Sequence, residues 1–237
     1  MQQATARAHS NIAFIKYWGN EDDELRIPVN DSISMNLDRL YTETTVLWDE
    51  SLSDDELTLA SEPQHGKTLE RVSQHLDLIR ERLGITSKAR VTSQNNFPMG
   101  TGIASSAAAF AALTLAAVVA AGGKLTEREL TTIARRGSGS ASRSISDGFV
   151  LWHQGDSHET SYAESFAAPE HWKLVDVIAI VSDQHKTVGS RQGHTTANTS
   201  DLQQARVDGA AERVQVCKEA ILDRDFTRFA EVVEHDS

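Results

Sequence analysis

The sequence lacks the features that mark secreted and membrane proteins. Its single cysteine, Cys217, excludes a disulfide within the chain of 237 residues, which fits a reducing compartment. The N-terminus has no apolar signal core. The most apolar stretch, residues 107–121, is too short and too rich in alanine to span a bilayer, so we expect a buried helix there. The sequence therefore predicts a cytoplasmic protein with no membrane partner.

Positive charge is also scarce. The chain has 23 Lys and Arg against 34 Asp and Glu, a net charge of −11, whereas nucleic-acid binding needs a basic face. None of the nine histidines forms an H-x-x-x-H pair, and a Cys/His metal site would need a second cysteine. We interpret His9, His153, His185 and His194 as surface or structural residues. An acidic protein can still bind an anion where a few cations converge.

Sequence patterns predict a mixture of strands and helices. Strands are expected over residues 5–18, 41–48, 57–60, 88–94, 148–153 and 174–181, with a loop and a return strand between 27 and 34. Helices are expected over residues 69–83, 103–121, 126–136, 207–221 and 226–234. Gly84 stands where a helix-ending glycine belongs, and Thr126 with Glu129 forms a capping box. The strand 174–181 needs a neighbour from the first sheet or from outside this chain, so we expect a C-terminal truncation.

The strongest motif is NNFPMGTGIASSAAAF, residues 95–110. Gly100 and Gly102 let the backbone turn so that its N–H groups face one point, and the start of the following helix favours a phosphate. Ser105 and Ser106 can donate to phosphate oxygens or hold Mg²⁺. A turn that caps an ordinary helix explains the loop alone equally well, because no lysine follows the second glycine as in a Walker A loop.

Further segments bring cations beside polar loops. RRGSGSASRS, residues 135–144, places four serines beside Arg143, whose planar fork suits a carboxylate or a phosphate. A flexible linker is the alternative, and it loses weight because the loop joins a capped helix to a strand. Lys16 in NIAFIKYWG and Arg191 in HKTVGSRQG are either surface cations or charges beside a substrate. For each of them alone, the surface interpretation is favoured.

Together these segments resemble the diphosphomevalonate decarboxylases of the GHMP kinase superfamily. NIAFIKYWG, IPVNDSISMNL, NNFPMGTGIASSAAAF, GSGSASRS and SRQG follow the family's order and approximate spacing over nearly the whole chain. The resemblance implies an α+β fold with a ribosomal-protein-S5-domain-2-like N-terminal domain, residues 1–172. It implies a truncated ferredoxin-like C-terminal domain, residues 173–237, with the active site between the two, and it suggests a homodimer.

The resemblance also implies the chemistry. ATP, with Mg²⁺, phosphorylates the C3 hydroxyl of 5-diphosphomevalonate or 5-phosphomevalonate, and loss of phosphate and CO₂ gives isopentenyl diphosphate or isopentenyl phosphate. Carried over by position, Arg143 binds the substrate carboxylate and Lys16 supports the reacting hydroxyl. The residues implied in substrate binding are Tyr17, Trp18, Gly19, Asn20, Arg71, Ser138, Gly139, Ser140, Ala141, Ser142, Ser190 and Arg191. Those implied at the nucleotide are Asn95, Gly100, Gly102, Ala104, Ser105 and Ser106, with Ser106 also at the metal.

The sequence departs from the family pattern in three ways. Where the family commonly reads KYWGK, the last residue is Asn20, so we hypothesise a preference for the 5-monophosphate. The usual cysteine of the serine-rich loop is Ser142. The family's catalytic aspartate belongs to an Asp-Ala-Gly-Pro-like segment that this chain does not contain, and no pattern makes Asp147 or Asp183 the base.

Three interpretations of the activity therefore stay open. The first is a decarboxylase, which Arg143 favours because an arginine that steers the carboxylate is expected where decarboxylation occurs. The second is a mevalonate 3-kinase-like enzyme that stops at the phosphorylated product. The third is a truncated remnant that binds without catalysis.

Overall fold

The computed structural model describes residues 2–97, 105–179, 190–197 and 199–237. The strands in this part of the chain are β1 (Gln2–Ile15), β2 (Asn20–Asp22), β3 (Ile27–Pro28), β4 (Ser32–Asp49), β5 (Glu56–Leu59), β6 (Glu62–Gln64), β7 (Lys88–Asn95), β8 (Phe149–Trp152) and β9 (Ala163–Ala167). The helices are α1 (Gly66–Leu83), α2 (Ser105–Ala120), α3 (Glu127–Gly137), α4 (Ser190–Ala197), α5 (Gln203–Asp208), α6 (Ala210–Asp223) and α7 (Phe226–Asp236). Short 3₁₀ helices cover Gly139–Ser144 and Pro169–His171.

The main sheet is organised around the long strand β4. β1 pairs antiparallel with both halves of β4, with a register shift between His9 and Asn11. β8 pairs with residues 32–35 of β4 and β7 pairs with residues 42–49, both antiparallel. β5 lies parallel to β7, and β6 and β9 continue the sheet beyond β5 and β8. The sequence predicted a strand over residues 41–48 and a loop with a return strand between 27 and 34, and it left residues 35–40 unassigned, so the full length of β4 is a structural finding.

The first hydrophobic core lies where α2 packs on the sheet. Ala107, Ala111 and Ala116 are completely buried, because small side chains let the helix approach β1 and β4 closely. The indole of Trp48 on β4 donates its N–H to the carbonyl of Ala117 at 2.9 Å. The helix predicted over residues 107–121 is thus a core helix. In the described part of the chain, no helix has both the length and the apolar character needed to cross a membrane.

The second hydrophobic core lies under the C-terminal helices. Cys217 and Ile221 on α6 and Phe229 on α7 pack with Phe14 and Ile33 from β1 and β4. The rings of Phe14 and Phe229 meet edge to face, with centroids 4.8 Å apart. Burial raises the pKa of the Cys217 thiol to about 12, so it is not a reactive nucleophile. The helices after residue 173 therefore share a core with the sheet.

Two predicted helix ends are confirmed. The Thr126 side chain accepts from the backbone N–H of Glu129, and the Glu129 carboxylate accepts from the backbone N–H of Thr126, which completes the capping box of α3. Gly84 ends α1 in the left-handed conformation, with φ of 67°. The helix predicted over residues 207–221 is divided at Gly209 into α5 and α6.

The strand predicted over residues 174–181 is wrong for residues 174–179, which form no regular structure; residues 180 and 181 lie outside the described part. Val175 and Val177 expose 86% and 87% of their surface. A strand forms only where a neighbour accepts and donates its backbone hydrogen bonds. No strand among the described residues pairs with this segment, so apolar alternation alone does not produce a strand.

Candidate active site

A cleft of about 590 Å³ opens between α1, the start of α2 and the strands β5 and β7. Apolar side chains form much of its lining, including those of Leu57, Leu59, Val72, Val91, Phe97, Phe110 and Leu113. Polar groups join them from α1, β7 and α2. The predicted nucleotide residues Asn95, Ser105 and Ser106 all line this cleft. Apolar walls with a few polar groups are typical of a small-molecule site.

The start of α2 gives the cleft an anion-binding end. Ser105 and Ser106 are the first residues of the helix, where backbone N–H groups have no acceptor within the helix and the helix dipole favours negative charge. Lys67 on α1 brings a cation to the same cleft. The predicted residues Gly100, Gly102 and Ala104 lie outside the described part of the chain.

The two serine-rich motifs meet in space. The Oγ atoms of Ser106 and Ser138 lie 3.2 Å apart, although the residues are separated by 32 positions. Arg71 on α1 donates from Nη2 to the carbonyl of Gly137 at 2.8 Å, and it also lines the cleft. The loop that begins at Ser138 therefore lies beside the anion-binding end of the cleft.

Arg143 is a buried cation, with 2% of its surface exposed. Its Nη1 donates to the hydroxyl of Ser32 at 2.6 Å, and its Nη2 lies 3.5 Å from Oδ1 of Asn11. Burial lowers the pKa of Arg143 to about 10, so the guanidinium stays charged at neutral pH. Among the described residues no carboxylate forms an ion pair with it. A buried cation that contacts only neutral groups favours the arrival of an anion.

The rest of the 3₁₀ helix shapes the loop around Arg143. Asn11 donates to the carbonyl of Ser140 at 3.1 Å and to the hydroxyl of Ser144 at 2.8 Å. The hydroxyl of Ser142 donates to the carbonyl of Gly139, and Ala141 and Ser142 are completely buried. These contacts assign Ala141 and Ser142 to the internal structure of the loop. Their direct contact with a substrate stays a prediction.

Tyr17 lies against the same loop. A Cβ atom on Gly139 would lie 2.5 Å from Cε1 of Tyr17, so the ring occupies the space that a larger residue at 139 would need. Tyr17 also meets Trp152 edge to face, at 4.7 Å between centroids, and its hydroxyl donates to Oδ1 of Asn20 at 2.5 Å. Burial raises the pKa of Tyr17 to about 12, against the positive charges of Arg26 and Arg143. The phenol is therefore a protonated donor.

Lys16 is fixed through its backbone and side chain. Its N–H donates to Oδ2 of Asp236 at 2.7 Å, and its ammonium group donates to the carbonyl of Ala13 at 2.8 Å. Burial lowers the pKa of Lys16 below its ordinary value; Asp236 opposes this shift and Arg143 adds to it. The influence of Arg143 on Lys16 and on Tyr17 indicates that these three groups share one region of the molecule.

Comparison with protein-family models identifies both parts of the chain. A model of the diphosphomevalonate decarboxylase-like N-terminal domain matches residues 8–163, and a model of the mevalonate 5-diphosphate decarboxylase C-terminal domain matches residues 176–237. The chain belongs to the diphosphomevalonate decarboxylase family. The resemblance seen in the sequence motifs is thereby confirmed.

Individual relatives support this assignment. The diphosphomevalonate decarboxylase of Candida albicans is 40% identical over 259 residues, which cover 100% of this chain and 70% of the relative. The phosphomevalonate decarboxylase of Haloferax volcanii is 34% identical, with coverage of 99% of this chain and 72% of the relative. The solved structure of MDDEF in complex with MVAPP, AMPPCP and magnesium is 39% identical in sequence and has a TM-score of 0.90. The match covers 99% of this chain and 72% of that structure.

In this family member, the predicted substrate residues Ser190 and Arg191 belong to α4. Their side chains lie outside the described structure. The helix itself reaches the segment Tyr17–Gly19, because Gly193 lies against the indole ring of Trp18 and His194 stacks on Tyr17. The structure therefore places α4 beside the first predicted substrate-binding segment.

Several residues near the site carry no sequence motif and were missed. Arg26, Asp23 and Glu24 were missed; they line a second pocket of about 210 Å³ together with the predicted Arg71 and with Arg136 of the motif RRGSGSASRS. Lys67 in the main cleft was also missed, as were Gln203 and Arg206, which donate to the carbonyl of Trp18. His194 was interpreted as a surface or structural residue, although it packs within the candidate site. No local pattern distinguishes these residues from ordinary surface ones.

The described residues contain no group of three or more His, Cys, Asp or Glu side chains that could hold a metal ion. Mg²⁺ usually keeps several waters and binds few protein oxygens together with the phosphates of a nucleotide. The hydroxyl of Ser106, at the start of α2, fits this arrangement. The site therefore suits a magnesium ion that arrives with the nucleotide.

Proposed function

We propose that this chain carries the active site of an ATP-dependent decarboxylase that acts on a 5-phosphorylated mevalonate. The observation that supports it most directly is Arg143, a buried guanidinium bonded to neutral groups. It lies in the loop that the contact between Ser138 and Ser106 joins to the main cleft. Phosphoryl transfer alone leaves the bond to the carboxylate intact, whereas decarboxylation breaks it, so a cation that orients this group favours the decarboxylase.

The two predicted domains belong to this proposal. We assign residues 1–172 to a ribosomal-protein-S5-domain-2-like domain and residues 173–237 to part of a ferredoxin-like domain, with the site between them. The contacts of Gln203 and Arg206 with the carbonyl of Trp18 support a site formed by both parts. The family resemblance supports a homodimer, and the single cysteine supports a location in the cytoplasm.

We assign the nucleotide to the main cleft. Its apolar lining suits a purine ring, while Lys67 and the start of α2 suit phosphate groups. Asn95 and Ser105 face the same cleft, and Ser106 is the residue we assign to Mg²⁺. Bound ATP with Mg²⁺ supplies the phosphoryl group that turns the tertiary hydroxyl of the substrate into a leaving group.

We assign the phosphorylated mevalonate to the space bordered by Tyr17 and the loop 138–144. Arg143 orients the carboxylate with its planar fork. Ser138 and Ser140 hold the phosphate end from the loop, and α4 approaches it with Ser190–Arg191. The protonated hydroxyl of Tyr17 is a donor on the same side.

The reaction then follows from the position of the charges. The C3 hydroxyl releases its proton to solvent as its oxygen takes the γ-phosphoryl group from ATP, and ADP leaves. The bond from C3 to this oxygen then breaks, and phosphate leaves. The electron pair of the bond to the carboxylate forms the new double bond, and CO₂ leaves. Arg143 aligns the carboxylate with the departing phosphate, and the ammonium group of Lys16 stabilises negative charge at the reacting oxygen. Catalysis of this kind relies mainly on positioning and electrostatics.

The 5-monophosphate is the substrate that we propose. The amide of Asn20 is occupied on both sides, because Oδ1 accepts from Tyr17 and Nδ2 donates to Asp23 at 2.8 Å. At this position the chain therefore offers no cation for a second phosphate, and one of the two N–H groups of the amide is already used by Asp23. The phosphomevalonate decarboxylase of Haloferax volcanii is among the similar proteins.

The test is a turnover assay with both substrates. The protein is incubated with ATP, Mg²⁺ and either 5-phosphomevalonate or 5-diphosphomevalonate carrying a labelled carboxyl group, and ADP and CO₂ are measured together. We expect equal amounts of ADP and CO₂, with a higher kcat/KM for the monophosphate. A higher kcat/KM for the diphosphate would contradict the substrate preference alone.

Other outcomes separate the alternatives. ADP without CO₂, with a product phosphorylated at C3, would identify a kinase. Binding of substrate in a calorimetric titration without turnover would identify a chain that binds but does not catalyse. If neither phosphorylated mevalonate binds at millimolar concentration, the proposed function is wrong.

A further inference from the structure

His194 on α4 touches successive residues of the segment Tyr17–Gly19. Its ring stacks on Tyr17 with centroids 4.0 Å apart and an angle of 26° between the planes. It lies 5.0 Å from the ring of Trp18, and the backbone N–H of Gly19 donates to Nδ1 of His194 at 3.2 Å. One side chain therefore joins α4 to a segment 175 positions earlier in the chain.

The hydrogen bond defines the state of the imidazole. Because Gly19 donates its N–H, Nδ1 must be unprotonated, and the ring is neutral with its hydrogen on Nε2. Burial lowers the pKa of His194 to about 4; Arg26 and Arg143 add to this shift, and Asp23 opposes it. The ring stacked on it, that of Tyr17, is also uncharged. The contact is therefore the same throughout the neutral pH range.

Neighbouring residues also pack α4 and α5 against the segment Tyr17–Gly19. A Cβ atom on Gly193 would lie 2.6 Å from the indole ring of Trp18, so a glycine lets the helix come this close. The carbonyl of Trp18 accepts from Gln203 at 2.9 Å and from Arg206 at 2.7 Å. Gly19 has φ of 99°, a left-handed conformation that suits glycine. The peptide group between Trp18 and Gly19 is thus held by hydrogen bonds at both its N–H and its carbonyl.

We propose that His194 is a positioning residue that couples α4, the helix of Ser190 and Arg191, to the substrate-facing segment Tyr17–Gly19. The neutral ring holds Tyr17 from one side while Gly139 borders it from another. Loss of this contact separates two groups of residues that bind the phosphate end of the substrate, and it leaves the nucleotide cleft unchanged. The effect on substrate rests on the proposed function, whereas the contact itself does not.

Two variants separate the two parts of the contact. His194→Phe keeps an aromatic ring on Tyr17 and removes the acceptor for Gly19. His194→Asn keeps an acceptor near the position of Nδ1 and removes the stacked ring. His153→Gln is the matched control, because the ring of His153 contacts Tyr162 and Glu164.

The first measurement is hydrogen exchange of the Gly19 amide by NMR. One hydrogen bond contributes about 1 kcal/mol, which corresponds to a factor of about 5. We expect exchange about fivefold faster in His194→Phe, and within about twofold of the unsubstituted protein in His194→Asn and His153→Gln. Unchanged exchange in His194→Phe overturns the proposal.

The second measurement concerns substrates. In both His194 variants we expect KM for phosphorylated mevalonate to rise about five- to tenfold, with kcat and KM for ATP within about twofold and with the protein fully folded at the assay temperature. An equal rise of both KM values, or a rise that appears only where the variant is partly unfolded, overturns the proposal. If the unsubstituted protein binds no phosphorylated mevalonate, the proposed function fails, while Gly19 exchange still decides the role of His194.

Discussion

At the residue scale, Arg143 illustrates how a site is built at the expense of stability. A buried guanidinium whose hydrogen bonds go to Ser32 and Asn11, both neutral, keeps only part of the solvation it has in water. The neighbouring Trp152 ring, 5.5 Å away, offers weak compensation. Under the proposed function, such a residue is retained for the substrate carboxylate.

The substitution Arg143→Met tests this interpretation. We expect the free energy of unfolding to rise by about 1 kcal/mol, because a desolvated charge is replaced by an apolar side chain of similar length. Turnover falls by about 100-fold or more, because the carboxylate loses its fixed partner. Urea unfolding and steady-state kinetics measure the two effects. Arg7→Gln, at an exposed position of β1, is the control and changes neither by much; a less stable Arg143→Met protein would contradict the prediction.

His75 is a second residue whose environment decides its charge. It is buried, its Nε2 donates to Thr114 at 2.8 Å, and its Nδ1 has no partner among the described residues. Burial lowers the pKa of His75 from 6.5 to about 3, with a further contribution from Arg71. A protonated ring would place an N–H without an acceptor in the core. The folded protein therefore excludes a proton that the unfolded chain binds.

This linkage predicts a loss of stability in mild acid. Between the unfolded pKa near 6.5 and the folded pKa of about 3, the unfolded state binds more protons, so stability falls as pH falls. His75 alone accounts for about 2 kcal/mol between pH 7 and pH 5. Urea unfolding at both pH values should show that the free energy of unfolding changes less in His75→Gln than in the unsubstituted protein, by about this amount. The same dependence in both proteins would show that His75 does not titrate in this way.

At the element scale, the 3₁₀ helix Gly139–Ser144 is placed by its neighbours. Its N-terminal side is continuous with α3, which the capping box at Thr126 fixes, and its first residue lies against the ring of Tyr17. The position of Tyr17 therefore depends on the absence of a side chain at residue 139. This is a property of two packed elements and not of either residue alone.

The substitution Gly139→Ala tests that dependence. The added Cβ atom would lie 2.5 Å from Cε1 of Tyr17 and 2.7 Å from its hydroxyl, so the ring must move. We expect KM for the phosphorylated mevalonate to rise about tenfold, since a shift of this size typically costs 1–2 kcal/mol. KM for ATP stays unchanged, which serves as the internal control. Unaltered kinetics for both substrates would show that Tyr17 does not depend on Gly139.

At the scale of the whole molecule, the C-terminal helices are joined to the candidate site. The carboxylate of Asp236 on α7 is buried, accepts from Arg213 at 2.6 Å and accepts from the backbone N–H of Lys16. This contact extends from the last helix to the end of β1. The second hydrophobic core and this ion pair therefore act together on the position of Lys16.

Asp236→Asn tests the contribution of this ion pair. Removing one partner of a buried pair typically costs 3–5 kcal/mol, because the other charge is left buried. We expect a loss of about 3 kcal/mol in urea unfolding. Glu219→Gln is the matched control: it removes the exposed pair with Arg228, so we expect a much smaller loss. Equal losses in the two variants would contradict the role assigned to Asp236.

Local patterns predicted much of the fold and of the chemistry. The capping box at Thr126, the left-handed Gly84 and the helical repeats each depend on residues a few positions apart, so the sequence alone reveals them. The serine-rich motifs at 105–106 and 138–144 were found for the same reason. The failure at residues 174–179 shows the limit, because a strand also requires a neighbour.

The sequence by itself determined where α1, α2, α3, α6 and α7 lie, what chemistry each motif offers and which family the chain resembles. Only the tertiary structure decided that His194 lies on Tyr17, that Asp236 holds the N–H of Lys16, and that Arg26 shares a pocket with Arg71. The physical reason is distance along the chain. The first two contacts join residues 177 and 220 positions apart. They form because α4 packs on the segment Tyr17–Gly19 and α7 packs beside β1, not because of any pattern near either partner.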